Sequence, residues 1–337
     1  LDKHGPKKIV SSFLLIAIVG TASFALAQSF AGLLISRILI GVGVSACLMG
    51  PLTGYRIWFA DEYQQRGNSW MLMIASTGFV FSTLPVQILL PIFGWRWIFG
   101  GITILIFIVI ILILLFIPSW KNETDNNNEK NFGSLSDIWK NKFFRSTIPL
   151  GLFNYGGMIA IQTLWAGPWM VRVAGYNPLE SATGLFWINT TMLIAFFVWG
   201  YILPKITKFG LETMKLMKFG LPISYLFLLV IIISGENAGA IHFTIYILTS
   251  IVLTLTQPAI ALSFPASLAG KSLTSFNLLI FLGTFIMQWG IGLVIDMCRF
   301  LGKGEIQSFQ ISFFIYLLIC IFSYLYFIFN NKNLKNE

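Results

Sequence analysis

SWKNETDNNNEKNFGSLSDIWKNKFFRS, residues 119–146, is the one long hydrophilic break in a chain that is otherwise apolar from end to end. Its first half is Asn-rich and charged. Its second half, SLSDIWKNKFF, has the spacing of a short amphipathic helix. Outside it lie runs of about 20 apolar residues, the length a helix needs to cross a hydrocarbon core at a rise of ~1.5 Å per residue. Four runs precede it, at 9–28, 31–53, 69–92 and 97–118; six follow, at 147–170, 181–203, 217–234, 240–264, 273–297 and 308–330. The break therefore reads as a linker between two halves of an all-α, polytopic membrane helix bundle. The expected organisation is a first bundle over 1–118, a linker over 119–146, a second bundle over 147–330 and a tail over 331–337.

Composition excludes a soluble protein. Hydrophobic residues make up 56% and charged residues 10%, where a soluble domain carries about 25% charged residues. The net charge of +9 invites a nucleic-acid reading, but the positions of the charges refuse it. With residues 1–8 on the cytoplasmic side and alternate sides thereafter, seventeen Lys and Arg fall in cytoplasmic segments. Four (Arg96, Arg172, Arg299 and Lys303) fall opposite, and Arg37 lies inside a span. An excess of this kind orients membrane proteins, so both termini are expected in the cytoplasm of a cell (plasma or inner) membrane protein. The lipid bilayer is a partner and nucleic acid is not. Cys47, Cys298 and Cys320 lack metal-ligand spacing and read as small packing residues; no metal and no cofactor are expected. Asn122-Glu-Thr124 and Asn189-Thr-Thr191 match the glycosylation pattern, but one falls in a cytoplasmic segment and one in a helix, so neither is expected to be used.

The halves resemble each other. Leu1-Asp2-Lys3 recurs as Leu203-Pro204-Lys205 and Arg96 as Arg299, at offsets of 202 and 203 residues. Parallel repeats are a transporter plan. A first half of four helices against a second of six implies two helices upstream of Leu1, so the chain is expected to hold ten helices of a twelve-helix protein.

The motifs carry a family resemblance. DKHGPKK, with the preceding leucine, resembles the loop signature of the major facilitator superfamily, roughly G-x-L-A-D-R-x-G-R-K-K, through Leu1, Asp2, Lys3, Gly5, Lys7 and Lys8. SRILIGVGVSACLMGP, residues 36–51, resembles the family's helix-four pattern R-x-x-x-G-x-G, and GWRWIF, residues 94–99, its outer turn between helices five and six. The family's drug–proton antiporters carry G-x-x-x-G-P-x-x-G-G on helix five; GFVFSTLPVQ, residues 78–87, departs from it, which argues against drug efflux. The resemblance implies a 6+6 pseudo-symmetric architecture and a gating loop built from Asp2, Lys3, Gly5, Lys7 and Lys8. In the family the loop aspartate meets the start of helix eleven, expected here near Thr274.

An arginine inside hydrocarbon costs about 2.5–3.5 kcal/mol on insertion scales, so Arg37 is a candidate for substrate binding or coupling. The alternative is that it snorkels to the headgroups. Gly41, Gly43 and Gly50 read as close-packing positions. In the family the cavity is lined mainly by helices one, four, seven and ten. Asn154, Met158, Gln162 and Trp165 share one face of an ideal helix seven, beside helix-loosening Gly156-Gly157 and Gly167-Pro168. With Gln257, Asn277 and Gln288 they form the candidate polar cavity, although each alone suits an interhelical hydrogen bond. The reading is a secondary transporter of a small polar solute by alternating access, with a proton or ion as candidate coupling partner, and not an enzyme. The competing readings are a family member without transport activity and a membrane-embedded transferase, for which the only histidines, His4 and His242, supply a poor acid–base set.

Overall fold

The computed structural model describes residues 5–58, 71, 73–118, 135–208 and 213–331, and every regular element among them is helical. The chain forms two compact units, Leu1–Asn127 and Asn128–Glu337.

In the first unit α1 spans Gly5–Leu26, α2 Phe30–Val44, α3 Ala46–Trp58, α4 residues 73–81 and α5 Leu84–Phe116. Ser29 caps α2 by accepting from the Gly32 amide at 3.2 Å. α1 packs against both α2 and α5. Small residues allow the approach: a Cβ at Gly20 would stand 2.7 Å from the Ile40 amide nitrogen, and one at Gly43 would overlap the Ala17 backbone. The packing expected of Gly43 and Gly50 is present, since Gly50 meets Val10; Gly41 instead faces open space. Thr103 on α5 donates to the Thr21 hydroxyl on α1 at 2.9 Å.

At 33 residues, α5 is about 50 Å long, well beyond a hydrocarbon core of ~30 Å. Gly94, at φ 71° and ψ 158°, divides it into two segments at the expected turn. Before it, α4 and α5 are separated at Ser82-Thr83, because Pro85 has no N–H to continue the ladder.

The second unit opens with α6, Leu135–Lys140, and α7, Lys142–Pro149. The amphipathic stretch is thus two short helices, separated where Asn141 caps α7 by accepting from the Phe144 amide at 2.9 Å. Ile138 and Phe144 are buried against Ile260, Leu268, Phe276 and Ile280, so this end of the linker belongs physically to the second unit. Next come α8, Gly156–Ala160, and α9, Ala166–Arg172, followed by α10, Pro178–Lys208, and α11, Thr213–Ser234. Then α12, Ala240–Thr249, α13, Thr256–Leu262, α14, Ala266–Phe300, and α15, Glu305–Asn331, complete the unit. Asn177 and Glu180 make a reciprocal capping box at the start of α10, each accepting from the other's amide at 2.8 Å.

Among the described residues eight helices are long and apolar enough to cross a membrane. Counting α5 as two across Gly94, and adding the irregular helix over 142–172, accounts for all ten predicted runs. Boundaries shift by a few residues, most at the start of α14. Helix α14 begins at Ala266 rather than near Thr274, because the polar stretch ASLAGKS continues the helix beyond its apolar part, back to Pro265. Leu15, Phe107, Leu115, Phe285, Trp289 and Phe322 are exposed, a surface suited to hydrocarbon rather than water.

The second unit is tightest where the 142–172 helix meets α14. A Cβ at Gly156 would lie 2.6 Å from the Thr284 amide nitrogen and one at Gly283 would overlap the Leu152 carbonyl. Gly156→Val or Gly283→Val therefore forces backbones apart and should destabilise by about 1–3 kcal/mol or more. Gly290→Ala, which meets nothing within 4 Å, should leave the thermal midpoint in detergent unchanged; equal midpoints for all three variants would contradict this packing.

Candidate functional site

Two helices of the second unit are irregular, and proline accounts for both. The 142–172 helix widens to i→i+5 turns over Leu150–Tyr155 and Ile161–Trp165. Pro149 precedes the first wide segment and Pro168 follows the second; each lacks an amide and crowds the carbonyl four residues back. The helix over Ala240–Leu262 tightens to a 3-10 turn over Ser250–Leu255, just before Pro258. Wide turns of this kind are frequent at functional positions. Gly156 and Gly157 do not loosen the helix: they are contact points, Gly157 lying against the Tyr316 ring.

The wide turns also rotate the helix off the 3.6-residue period. The candidates Asn154, Gln162 and Trp165 consequently bond to different helices. Asn154 is buried; its amide donates to Ser323 Oγ and to the Cys320 carbonyl on α15 (3.3 Å), and its oxygen accepts from Tyr225 on α11 at 2.6 Å. Gln162, also buried, donates to Asn189 Oδ1 on α10 at 2.8 Å. The Trp165 indole donates to the Gln288 carbonyl on α14 at 3.1 Å, and the Gln288 amide donates back to Thr163 Oγ1 at 3.1 Å. Gln257 on α13 donates to Asn277 Oδ1 on α14 at 3.1 Å. The six candidates of this unit thus resolve into a buried Asn154 cluster, a buried Gln162–Asn189 pair and two partly exposed groups, Thr163–Trp165–Gln288 and Gln257–Asn277.

Asn189 escaped the sequence reading, where it figured only within a glycosylation triplet. Its side chain is 7% exposed and bonded to Gln162. An amide inside an apolar run was the available signal. Trp169, fully buried, stacks 4.7 Å from Phe313 and donates to the Ala238 carbonyl at 3.1 Å, closing the end of the unit.

In the first unit Arg37 is exposed, its guanidinium 4.7 Å from the Phe24 ring centroid and 5.6 Å from that of Phe99. Of the gating-loop residues, Gly5, Lys7 and Lys8 form the first turn of α1; Asp2 and Lys3 lie outside the described residues. At the far end of the second unit Arg299 pairs with Glu305 through Nε at 2.7 Å and with Asp296 at 3.3 Å, and Arg172 reaches Glu305 at 3.5 Å.

The helical architecture agrees with comparison to known proteins. The sequence profile of the Major Facilitator Superfamily matches residues 1–288. The chain belongs to that superfamily. Solved superfamily transporters share its fold: a bacterial homolog of the human lysosomal transporter Spinster, in an inward-facing, unoccupied state, aligns at TM-score 0.73 and 14% identity. That alignment covers 98% of this chain and 84% of the homolog. The E. coli fucose:proton symporter aligns at TM-score 0.65 and 15% identity over 98% of this chain and 85% of its own. Comparison with curated proteins gives no match. This superfamily member is a multi-pass membrane protein of the transporter class.

Uncharged amides, hydroxyls and an indole can exchange hydrogen bonds with a solute at little cost, since interhelical bonds in membranes average about 0.6 kcal/mol. A double-mutant cycle on Gln162→Leu and Asn189→Leu should therefore return a coupling of about 0.6 kcal/mol, and no more than ~1.7, read from unfolding in detergent. A coupling of zero would show that the pair is not formed.

Proposed function

We propose that this superfamily member is a secondary transporter that moves a small, polar, uncharged solute by alternating access across a cell (plasma or inner) membrane, with both termini cytoplasmic. The observation that carries the reading is the pairing of partly exposed polar groups with helix irregularity. Thr163, Trp165 and Gln288 meet at the second wide turn, while Gln257 and Asn277 meet beside Pro258. There the backbone can bend and the side-chain bonds can be exchanged, so a solute can be gripped and released. Asn154 and Gln162, whose polar groups are bonded in buried pairs, hold the frame around them. Arg37 supplies a cation from the first unit to solute handling or coupling, and the loop of Asp2, Lys3, Gly5, Lys7 and Lys8 supplies the gate.

The distribution of charge supports transport over transferase chemistry. In the second unit the described acidic side chains, Asp137, Glu180, Glu236, Asp296 and Glu305, all lie at or near helix ends, and Asp296 and Glu305 are paired with arginine. His242 accepts from the Gly239 amide at 3.3 Å and serves as a helix cap.

Uptake by proteoliposomes of a panel of small sugars, polyols and amides tests the reading. Trp165→Ala combined with Gln288→Leu should lower uptake by about tenfold, the effect of losing ~1.4 kcal/mol of solute binding, with folding intact by circular dichroism. Dependence of uptake on an imposed pH gradient distinguishes proton coupling from uniport. Uptake unaffected by the double substitution would remove these residues from the solute path. Absence of uptake by the unaltered chain across the panel would favour the inactive reading.

A further inference from the structure

The two units treat their arginines differently. Arg299, which matches Arg96 in the repeat, lies between two carboxylates, Asp296 and Glu305, and Arg172 shares the latter. In the first unit the described residues include no Asp or Glu. Arg96 is exposed and spends one N–H on the Ala27 carbonyl at 3.2 Å, at the α1–α2 turn, with its guanidinium 4.2 Å over the Trp95 ring. Among the described residues Arg37 rests on two aromatic faces, Phe24 and Phe99.

Those rings form one cluster. Phe24 lies 5.5 Å from Trp95, edge to face, and 4.2 Å from Phe99. One aromatic cluster thus carries both guanidinium groups, Arg37 on Phe24 and Phe99 and Arg96 on Trp95, at the end of the unit where α1 passes into α2. Arg37 stands seven residues after Phe30, about 10 Å along the helix, and a helical side chain leans toward its own N-terminus, which here is that same end. Cation–π contact orients a guanidinium but leaves its in-plane N–H groups free. Two exposed forks, held by rings and with no carboxylate partner among the described residues, present the donors that a tetrahedral oxyanion accepts.

We propose that Arg37 and Arg96, supported by Phe24, Trp95 and Phe99, form a binding site for a phosphate-type oxyanion at the α1–α2 end of the first unit. The phosphate can arrive on an anionic phospholipid headgroup or free in water. The exposed apolar side chains of Phe30, Leu34 and Trp97 beside the site supply a surface for acyl chains in the first case. The site stands whether or not Arg37 also takes part in transport.

The test uses the full chain in neutral maltoside detergent, with the thermal unfolding midpoint followed at constant ionic strength. Three additions are titrated: mixed micelles of dioleoyl phosphatidylglycerol, mixed micelles of dioleoyl phosphatidylcholine, and inorganic phosphate. Phosphatidylglycerol should raise the midpoint more than phosphatidylcholine, and each of R37Q and R96Q should weaken that response about fivefold, as expected for one cationic side chain near a lipid surface. R172Q, which removes the same charge beside Glu305, should not weaken it. A response to phosphatidylglycerol alone assigns the headgroup as the source; a response to inorganic phosphate as well assigns a site open to free oxyanions. Should the glutamine variants fail to fold, R37K with R96K keeps the charge and loses the fork, and native mass spectrometry should count fewer bound phosphatidylglycerol molecules than on the unaltered chain. Equal responses from the unaltered chain and R37Q/R96Q, equal lipid counts for the lysine variant, or no response to either phosphate source overturns the proposal.

Discussion

Gly156 and Gly283 let two helix backbones touch, and the second unit is arranged around that contact. In a bilayer there is no hydrophobic gain in bringing helices together, because lipid tails are as apolar as leucine. What remains is close packing and hydrogen bonding. With no side chain between them, the 142–172 helix and α14 approach until Gly283 meets the Leu152 carbonyl and Gly156 meets the Thr284 amide. Tyr316 fills the space over Gly157 and bonds to Tyr246 at 3.1 Å, which ties α12 and α15 to the same point. Gly20 and Gly43 set α1 against α2 in the same way in the first unit.

Hydrogen bonding completes each unit. Buried amides and hydroxyls in hydrocarbon must find partners, and Asn154 finds three, on α11 and α15. The same requirement governs the irregular turns. Where Pro149, Pro168 and Pro258 remove amides, the chain shifts to wider or tighter turns rather than leave the helix. Rigid packing and adjustable turns thus coexist on the same two helices, the combination that the proposed transport cycle calls for.

Much of this was legible in the sequence. The ten apolar runs, the turn at Gly94 and the packing of Gly43 all follow from length, charge and residue size, while residues 119–134 of the expected linker lie outside the described residues. The candidate face on helix seven was projected at 3.6 residues per turn, and two wide segments undid that projection; periodicity carries no warning of them, although Pro149 and Pro168 do. The start of α14 was placed at the first apolar residue, whereas a helix can extend past the membrane on polar residues. Partners were harder still. That Gln162 would find Asn189, or that Arg37 would rest on Phe24, depends on which helices are neighbours, which no local pattern contains.

The glycine contacts and amide pairs make each unit a closely packed body, and the transport proposed above is a rocking of one body against the other. Spin labels at exposed positions test it in lipid nanodiscs by pulsed dipolar spectroscopy. One pair spans the units, at Leu34 and Leu301; the control pair lies inside the second unit, at Leu179 and Leu301. The account predicts two distance populations for the first pair and a single one for the second. A single population for the Leu34–Leu301 pair, or a split within the second unit, would contradict it.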